Sequence, residues 1–113
     1  MPLPWRVELT PHAVRTFKKL ERPIKVRIVE DLGGLVSELS SGAPLTSVTA
    51  NVKKLVGTAP EEWRLRVGDH RVRFRPEFHD AEPAPGQESR EDVQQEGVIV
   101  VTRIGHRRDI YRD

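Results

Sequence analysis

Apolar residues occupy alternate positions in Trp5-Arg-Val-Glu-Leu9, which predicts a short first strand over residues 4–9 with Trp5, Val7 and Leu9 on one face. Thr10-Pro11 marks a helix start, because threonine accepts free backbone N–H groups and proline is preorganised for the first turn. Ala13, Val14, Phe17 and Leu20 then follow helical spacing. Glu21-Arg22-Pro23 restarts a second helix whose Ile24, Ile28, Leu32, Leu35, Val36 and Leu39 form one apolar stripe. Gly33-Gly34 lowers helicity there, so a bend or early end is expected, and Ser40-Ser41-Gly42-Ala43-Pro44 is a stop. Residues 45–60 show no periodicity and are read as irregular.

The sharpest pattern is Trp63-Arg-Leu-Arg-Val-Gly-Asp-His-Arg-Val-Arg-Phe74. A two-residue turn at Gly68-Asp69 sets Trp63 opposite Phe74 and Leu65 opposite Val72 on one face. The other face carries Arg64 opposite Arg73 and Arg66 opposite Arg71. Like charges directly opposite on a sheet are destabilising. Either carboxylates on neighbouring elements pair with these arginines, or a polyanion such as a phosphate backbone spans them.

Val98-Ile-Val-Val-Thr102 is the strongest strand signal and is expected at the centre of the sheet. With Val98, Val100 and Ile104 pointing into the core, Arg103, Gly105 and Arg107 share parity with the arginine face. The order β, α, α, β, β, β predicts an α+β fold, a small four-stranded antiparallel sheet covered on one side by an N-terminal helical hairpin. The apolar hairpin face meets the helices and the arginine face stays open.

Composition sharpens this picture in three places. A chain of 113 residues with 36% hydrophobic and 32% charged content suits one domain with a thin core. Zero cysteines exclude disulfides, thiolate metal sites and cysteine nucleophiles. No window reaches the ~18 apolar residues of a membrane span, and Met1-Pro-Leu-Pro-Trp-Arg6 lacks a secretory pattern, so a cytoplasmic location without membrane contact is expected. The formal net charge of +2 hides an asymmetry. Within residues 77–96, Glu77, Asp80, Glu82, Glu88, Glu91, Asp92 and Glu96 meet one base, Arg90, and the stretch from about 79 to 96 is read as an acidic flexible loop. The other 93 residues carry 18 Lys and Arg against 10 Asp and Glu, about +8, which favours a polyanionic partner.

Lys54-Leu-Val-Gly57, the hairpin from Trp63 to Val72 and the ending Val101-Thr-Arg-Ile-Gly-His-Arg-Arg-Asp-Ile-Tyr111 resemble toxins of the RelE/ParE superfamily from type II toxin–antitoxin systems. The first helix with Lys18-Lys19-Leu20 also fits, and the resemblance covers the chain except the acidic loop. It implies a small basic toxin neutralised by a cognate, acidic antitoxin and meeting DNA only through it. In the RelE branch it implies a ribosome-dependent endoribonuclease that cuts mRNA in the ribosomal A site and uses no cofactor or metal. In the ParE branch it implies a non-catalytic inhibitor of DNA gyrase. An inactive member that acts with its antitoxin in autoregulation is the third reading.

By the RelE pattern the working residues fall on Arg64, Arg66, Arg71, Arg107 and Tyr111, with His106 where some relatives place a catalytic histidine. Such cleavage is attack of a 2′-hydroxyl on its neighbouring phosphate, which needs a base, cations for the phosphorane and an acid for the leaving oxygen. Arg71 is expected mid-hairpin on the open face, so that Arg71→Ala abolishes toxicity and leaves stability unchanged or slightly improved. Lys53, Lys54, Arg73, Arg75, Arg103 and Arg108 are the expected contacts to flanking RNA. Simple alternation sends His106 away from the arginine face, and Tyr111 needs neighbouring cations to lower its pKa. RelE-type sites carry lysines where this chain has Arg64 and Arg66, and arginine does not exchange protons near neutrality. His12, His70 and His79 do not make a metal cluster, and Glu61-Glu62 reads as solvated.

Overall fold

The computed structural model describes residues 3–80 and 95–109. Its elements are β1 (Trp5–Leu9), α1 (Pro11–Lys19), α2 (Arg22–Ser40), a 3-10 turn (Leu45–Ser47), β2 (Val52–Lys54), β3 (Trp63–Val67), β4 (His70–Asp80) and β5 (Gln95–His106). Thr10 caps α1 as the sequence implies, its Oγ1 accepting from the Ala13 N–H at 3.3 Å. Lys18 and Lys19 lie in the last turn of α1, where cations suit the helix dipole. α2 runs unbroken through Gly33-Gly34, both open to solvent. The buried stripe Ile28, Leu32, Leu35 and Leu39 brackets the pair and offsets a penalty of about 1 kcal/mol per glycine.

The sheet has five strands in the order β1-β5-β4-β3-β2, not four, and is mixed rather than antiparallel. β1 runs parallel to β5, with Trp5 against Gly97 and Leu9 against Val101. β2, three residues from the stretch read as irregular, adds an outer antiparallel strand to β3. The hairpin register is the one expected: Trp63 faces Phe74, Arg64 faces Arg73, Leu65 faces Val72 and Arg66 faces Arg71. Gly68 takes a φ of 57° at the turn's first position, a conformation open to glycine. β4 and β5 extend into the segment read as loop, pairing His79 with Glu96 and Asp80 with Gln95. The remaining acidic stretch, residues 81–94, lies outside the described residues.

One face of the sheet packs Trp63, Leu65, Val67, Val72, Phe74, Ile99, Val101 and Ile104 against Ala13 of α1 and the α2 stripe. The expected parity of β5 fails here. The ladder passes from Arg73–Arg103 to Phe74–Val101, so Thr102 is the extra residue of a β-bulge. Ile104 therefore shares the core face with Ile99 and Val101, while Val98 and Val100 face the other way. Val98 lies between Arg6 and Glu77, and Val100 between Glu8 and Arg75. Thr10 clamps α1 to the bulge: its N–H donates to Val101 O at 2.9 Å and its hydroxyl to Thr102 O at 3.3 Å. Among the described residues no helix is long and apolar enough to cross a membrane.

Candidate nucleic-acid interface

The face away from the helices divides into two halves. In the half near β1, acids and bases alternate: Arg6 pairs with Glu8 at 3.2 Å and Glu96 at 2.9 Å. Glu77 there binds both Arg75 and His79, and these contacts hold its carboxyl below the usual range, Arg75 contributing most. The expected RNA contact Arg75 thus already has an internal carboxylate.

The other half is cationic. Lys53 faces Arg64, Arg64 faces Arg73, and Arg73 faces Arg103, so four adjacent strands each place a base in one cross-strand row. Neighbouring strands are about 4.8 Å apart. A second row runs Arg66, Arg71, Gly105.

Carboxylates temper this row more than the sequence indicates. One Glu62 oxygen accepts from Arg73 Nε at 3.0 Å and Nη2 at 2.9 Å, with both side chains about one-fifth exposed. Glu61 accepts from the Trp63 indole at 2.8 Å and pairs with Lys54 at 3.0 Å. The indole bond, then Lys54, holds the Glu61 carboxyl below its ordinary value. Glu62 is therefore not the solvated charge expected of it, whereas Glu61 stays exposed but engaged by Trp63 and Lys54. Lys54 has the parity of Trp63 and leaves the row to Lys53.

Arg71 is not open. It is 8% exposed, and its Nη1 donates to Gly68 O at 2.9 Å and His70 O at 3.0 Å, bracing the hairpin turn. Arg66 is exposed and borders a groove of about 330 Å³ shared with Glu30, Asp31 and Glu38.

His106 has the parity of Ile104, hence the helix side of the sheet, as alternation implies. It meets His70 edge to face at 5.6 Å, and its Nδ1 accepts from the Arg108 N–H at 3.2 Å. Burial, then the electrostatic influence of His106, pushes the His70 pKa down. Arg107 leaves the sheet: its N–H donates to Asp69 O at 2.8 Å and its exposed guanidinium lies 3.9 Å from the Asp69 carboxylate. Arg108 is exposed beyond it. Tyr111 lies outside the described residues. The structure therefore unites Lys53, Arg64, Arg73 and Arg103, with Arg66 and Arg71 one row on, and separates His106 and Lys54 from them.

Sequence reasoning missed a residue at the edge of this face. His12 lines a cleft of about 390 Å³ with Glu62, Arg73, Thr102 and Arg103. Only the clamp of Thr10 on the bulge brings it there, and no local pattern signals that. No group of three or more metal-ligating side chains occurs among the described residues.

The family model described as the ParE toxin of the type II toxin–antitoxin system parDE matches residues 7–111. The chain belongs to this toxin family, within the RelE/ParE superfamily. Its fold is similar to a chain of the archaeal RelE–RelB complex from Pyrococcus horikoshii OT3, with TM-score 0.55 and 20% identity over 93% of this chain and 97% of that one. It is likewise similar to a chain of the RelB–RelE antitoxin–toxin complex from Methanococcus jannaschii, with TM-score 0.55 and 19% identity over 91% and 93%. No curated protein matches the sequence significantly. At these identities the two complexes establish the RelE-like α+β fold of this toxin.

Proposed function

We propose that this toxin is a ribosome-dependent endoribonuclease that cleaves mRNA in the ribosomal A site. The observation that carries this reading is the row Lys53, Arg64, Arg73, Arg103, a cationic strip across four strands. Planar guanidinium groups bind two phosphate oxygens at once, and a strip of them matches a phosphate backbone. In 2′-hydroxyl attack, the same cations stabilise the charge that builds on the phosphorane. Arginine is a poor proton carrier, so proton transfer falls to Lys53, Tyr111 or groups of the ribosome; His106 lies across the sheet from the row. A cognate acidic antitoxin neutralises the toxin, its carboxylates competing with RNA for the row. Val26 and Val29, both exposed on α2, offer it apolar contact.

A second reading, inhibition of DNA gyrase without catalysis, is favoured by the ParE description of the matching family and by the arginines that replace lysines at positions 64 and 66. One toxin preparation assayed in a translation extract and in a gyrase supercoiling reaction separates them. The nuclease reading expects shortened mRNA and normal supercoiling; blocked supercoiling with intact mRNA contradicts it.

A further inference from the structure

β4 outruns its neighbour on one side. The β3–β4 ladder ends at Trp63–Phe74, where the chain ahead of β3 turns back, the Glu62 N–H donating to Thr58 Oγ1 at 3.0 Å. Arg75–Asp80 pair with β5 alone, so among the described residues these six positions border no strand on their other side. Such an edge is a template for a further strand. We propose that it is the interface of a symmetric dimer, in which β4 of one copy pairs antiparallel with β4 of a second copy and the two Phe78 residues face each other. The inference does not depend on what the toxin attacks.

The direction of the backbone groups follows from the hairpin. Val67 and His70 close a two-residue turn as a hydrogen-bonded pair, so His70 and every second residue after it aim N–H and C=O towards β3. The alternate set aims at β5, as Arg73 does: its carbonyl accepts from the Thr102 hydroxyl at 3.3 Å. Beyond Phe74 the outward set is therefore Pro76, Phe78 and Asp80, with proline lacking the N–H it would point at the edge. A two-fold axis perpendicular to the sheet must pass beside one residue of each strand. Centring on Pro76 opposes two residues without donors, and centring on Glu77 or Asp80 opposes two carboxylates. Centring on His79 leaves Pro76 and Glu77 facing nothing described. Centring on Phe78 lets the two copies exchange both Phe78 N–H to C=O bonds, and each Asp80 N–H reaches the other copy's Pro76 carbonyl. On the open face Glu77 then stands opposite His79 of the second copy, twice, in close pairs about 4.5 Å apart at Cα. Glu77 already accepts from His79 of its own chain at 2.7 Å, so the dimer closes these contacts into a ring of alternating carboxylates and imidazoles. On the helix side Phe78, 59% exposed, meets its counterpart, and Trp5 stands behind it edge to face at 5.5 Å. The axis preserves the two faces, so the cationic rows lie on one side of a sheet with five strands from each copy.

The test is sedimentation of the isolated toxin from micromolar to submillimolar concentration, where its mass should double. His79→Glu, which opposes two carboxylates at both close pairs, should weaken dimerisation about tenfold or more. Mixing it with Glu77→Lys should restore a mixed dimer, because the new lysine and glutamate then face each other; a Glu77–His79 contact that matters only within one chain gives no such rescue. Melting curves check that both variants fold. The chain has no cysteine, so a mixture of Glu77→Cys and His79→Cys should crosslink on oxidation by diamide, and Glu77→Cys alone should do so far more slowly. A monomer at every concentration, a dimer indifferent to His79→Glu, or equal crosslinking of the mixture and of Glu77→Cys alone overturns the proposal. A toxin that is monomeric by itself and whose Phe78 and Asp80 amides become protected from exchange only on addition of antitoxin assigns the edge to an antitoxin strand and overturns the second copy as its occupant.

Discussion

Glu62 holds Arg73 with a single carboxylate oxygen, 2.9 Å from Nη2 and 3.0 Å from Nε. This contact sits in the middle of the cationic row and relieves the repulsion between Arg73 and its neighbours Arg64 and Arg103. A double-mutant cycle with Glu62→Ala and Arg73→Ala should return a coupling of about 1 kcal/mol, the upper end for a partly exposed pair. Unfolding in urea measures it, and a coupling near zero would mean the arginines are not electrostatically crowded.

Arg71 leads to a different expectation from the one its sequence position suggests. Its guanidinium satisfies the Gly68 and His70 carbonyls, and the side chain is almost fully buried. Arg71→Ala should therefore destabilise the fold by about 1–3 kcal/mol, since it strips a charged donor from two half-buried carbonyls and removes the packed stem. Denaturant unfolding decides this; unchanged stability would return Arg71 to a purely ligand-binding role.

Gly97 is required by Trp5. A Cβ at this position would lie 2.2 Å from the indole ring, which in turn meets Phe78 edge to face at 5.5 Å. Gly97→Ala should cost about 1–3 kcal/mol by overpacking and loosen β1 from β5. Faster amide exchange at Arg6 and Glu8, whose N–H groups have the parity of Thr10 and point at β5, is the accompanying sign, and exchange as slow as in the parent would contradict the close approach.

The His70–His106 contact makes stability depend on pH. Burial, then the nearby His106, holds the folded His70 pKa below its ordinary 6.5. As pH falls through 6.5 the unfolded chain takes up a proton that the folded chain refuses, so stability is full above 6.5 and declines as pH drops towards the folded value. The depressed carboxylates Glu38, Glu61 and Glu77 act in a separate, more acid window, their contribution being lost as pH falls below 4.5. Melting curves at pH 8, 6.5 and 5.5 should show a decline that His70→Asn removes; a decline that survives the substitution assigns it to other groups.

The hairpin was legible in the sequence because alternation and one glycine turn determine its register, and the two faces followed. The N-cap at Thr10 and the α2 stripe were legible for the same local reasons. The phase of β5 was not: every residue from Val98 to Val101 is apolar, so nothing marks Thr102 as the extra residue, and the bulge exists only against Arg73. β2 is too short to show a period, and the parallel pairing of β1 is a choice made by tertiary packing. At the site, the row could be read as far as Arg64, Arg73 and Arg103. The carboxylates that temper it and His12 beside it come from other elements, whose approach no local pattern encodes.

The most direct test of the account uses purified ribosomes stalled on a defined mRNA, with the wild-type toxin and a Lys53→Gln/Arg64→Gln/Arg103→Gln variant whose folding is checked by its melting curve. Mapping of the mRNA ends should show a break within the A-site codon that depends on the ribosome and falls by at least ~100-fold in the variant, as expected when several transition-state cations are lost. Intact mRNA with the wild-type toxin, or cleavage undiminished in the folded variant, contradicts the claim that this row is the RNA-cleaving surface.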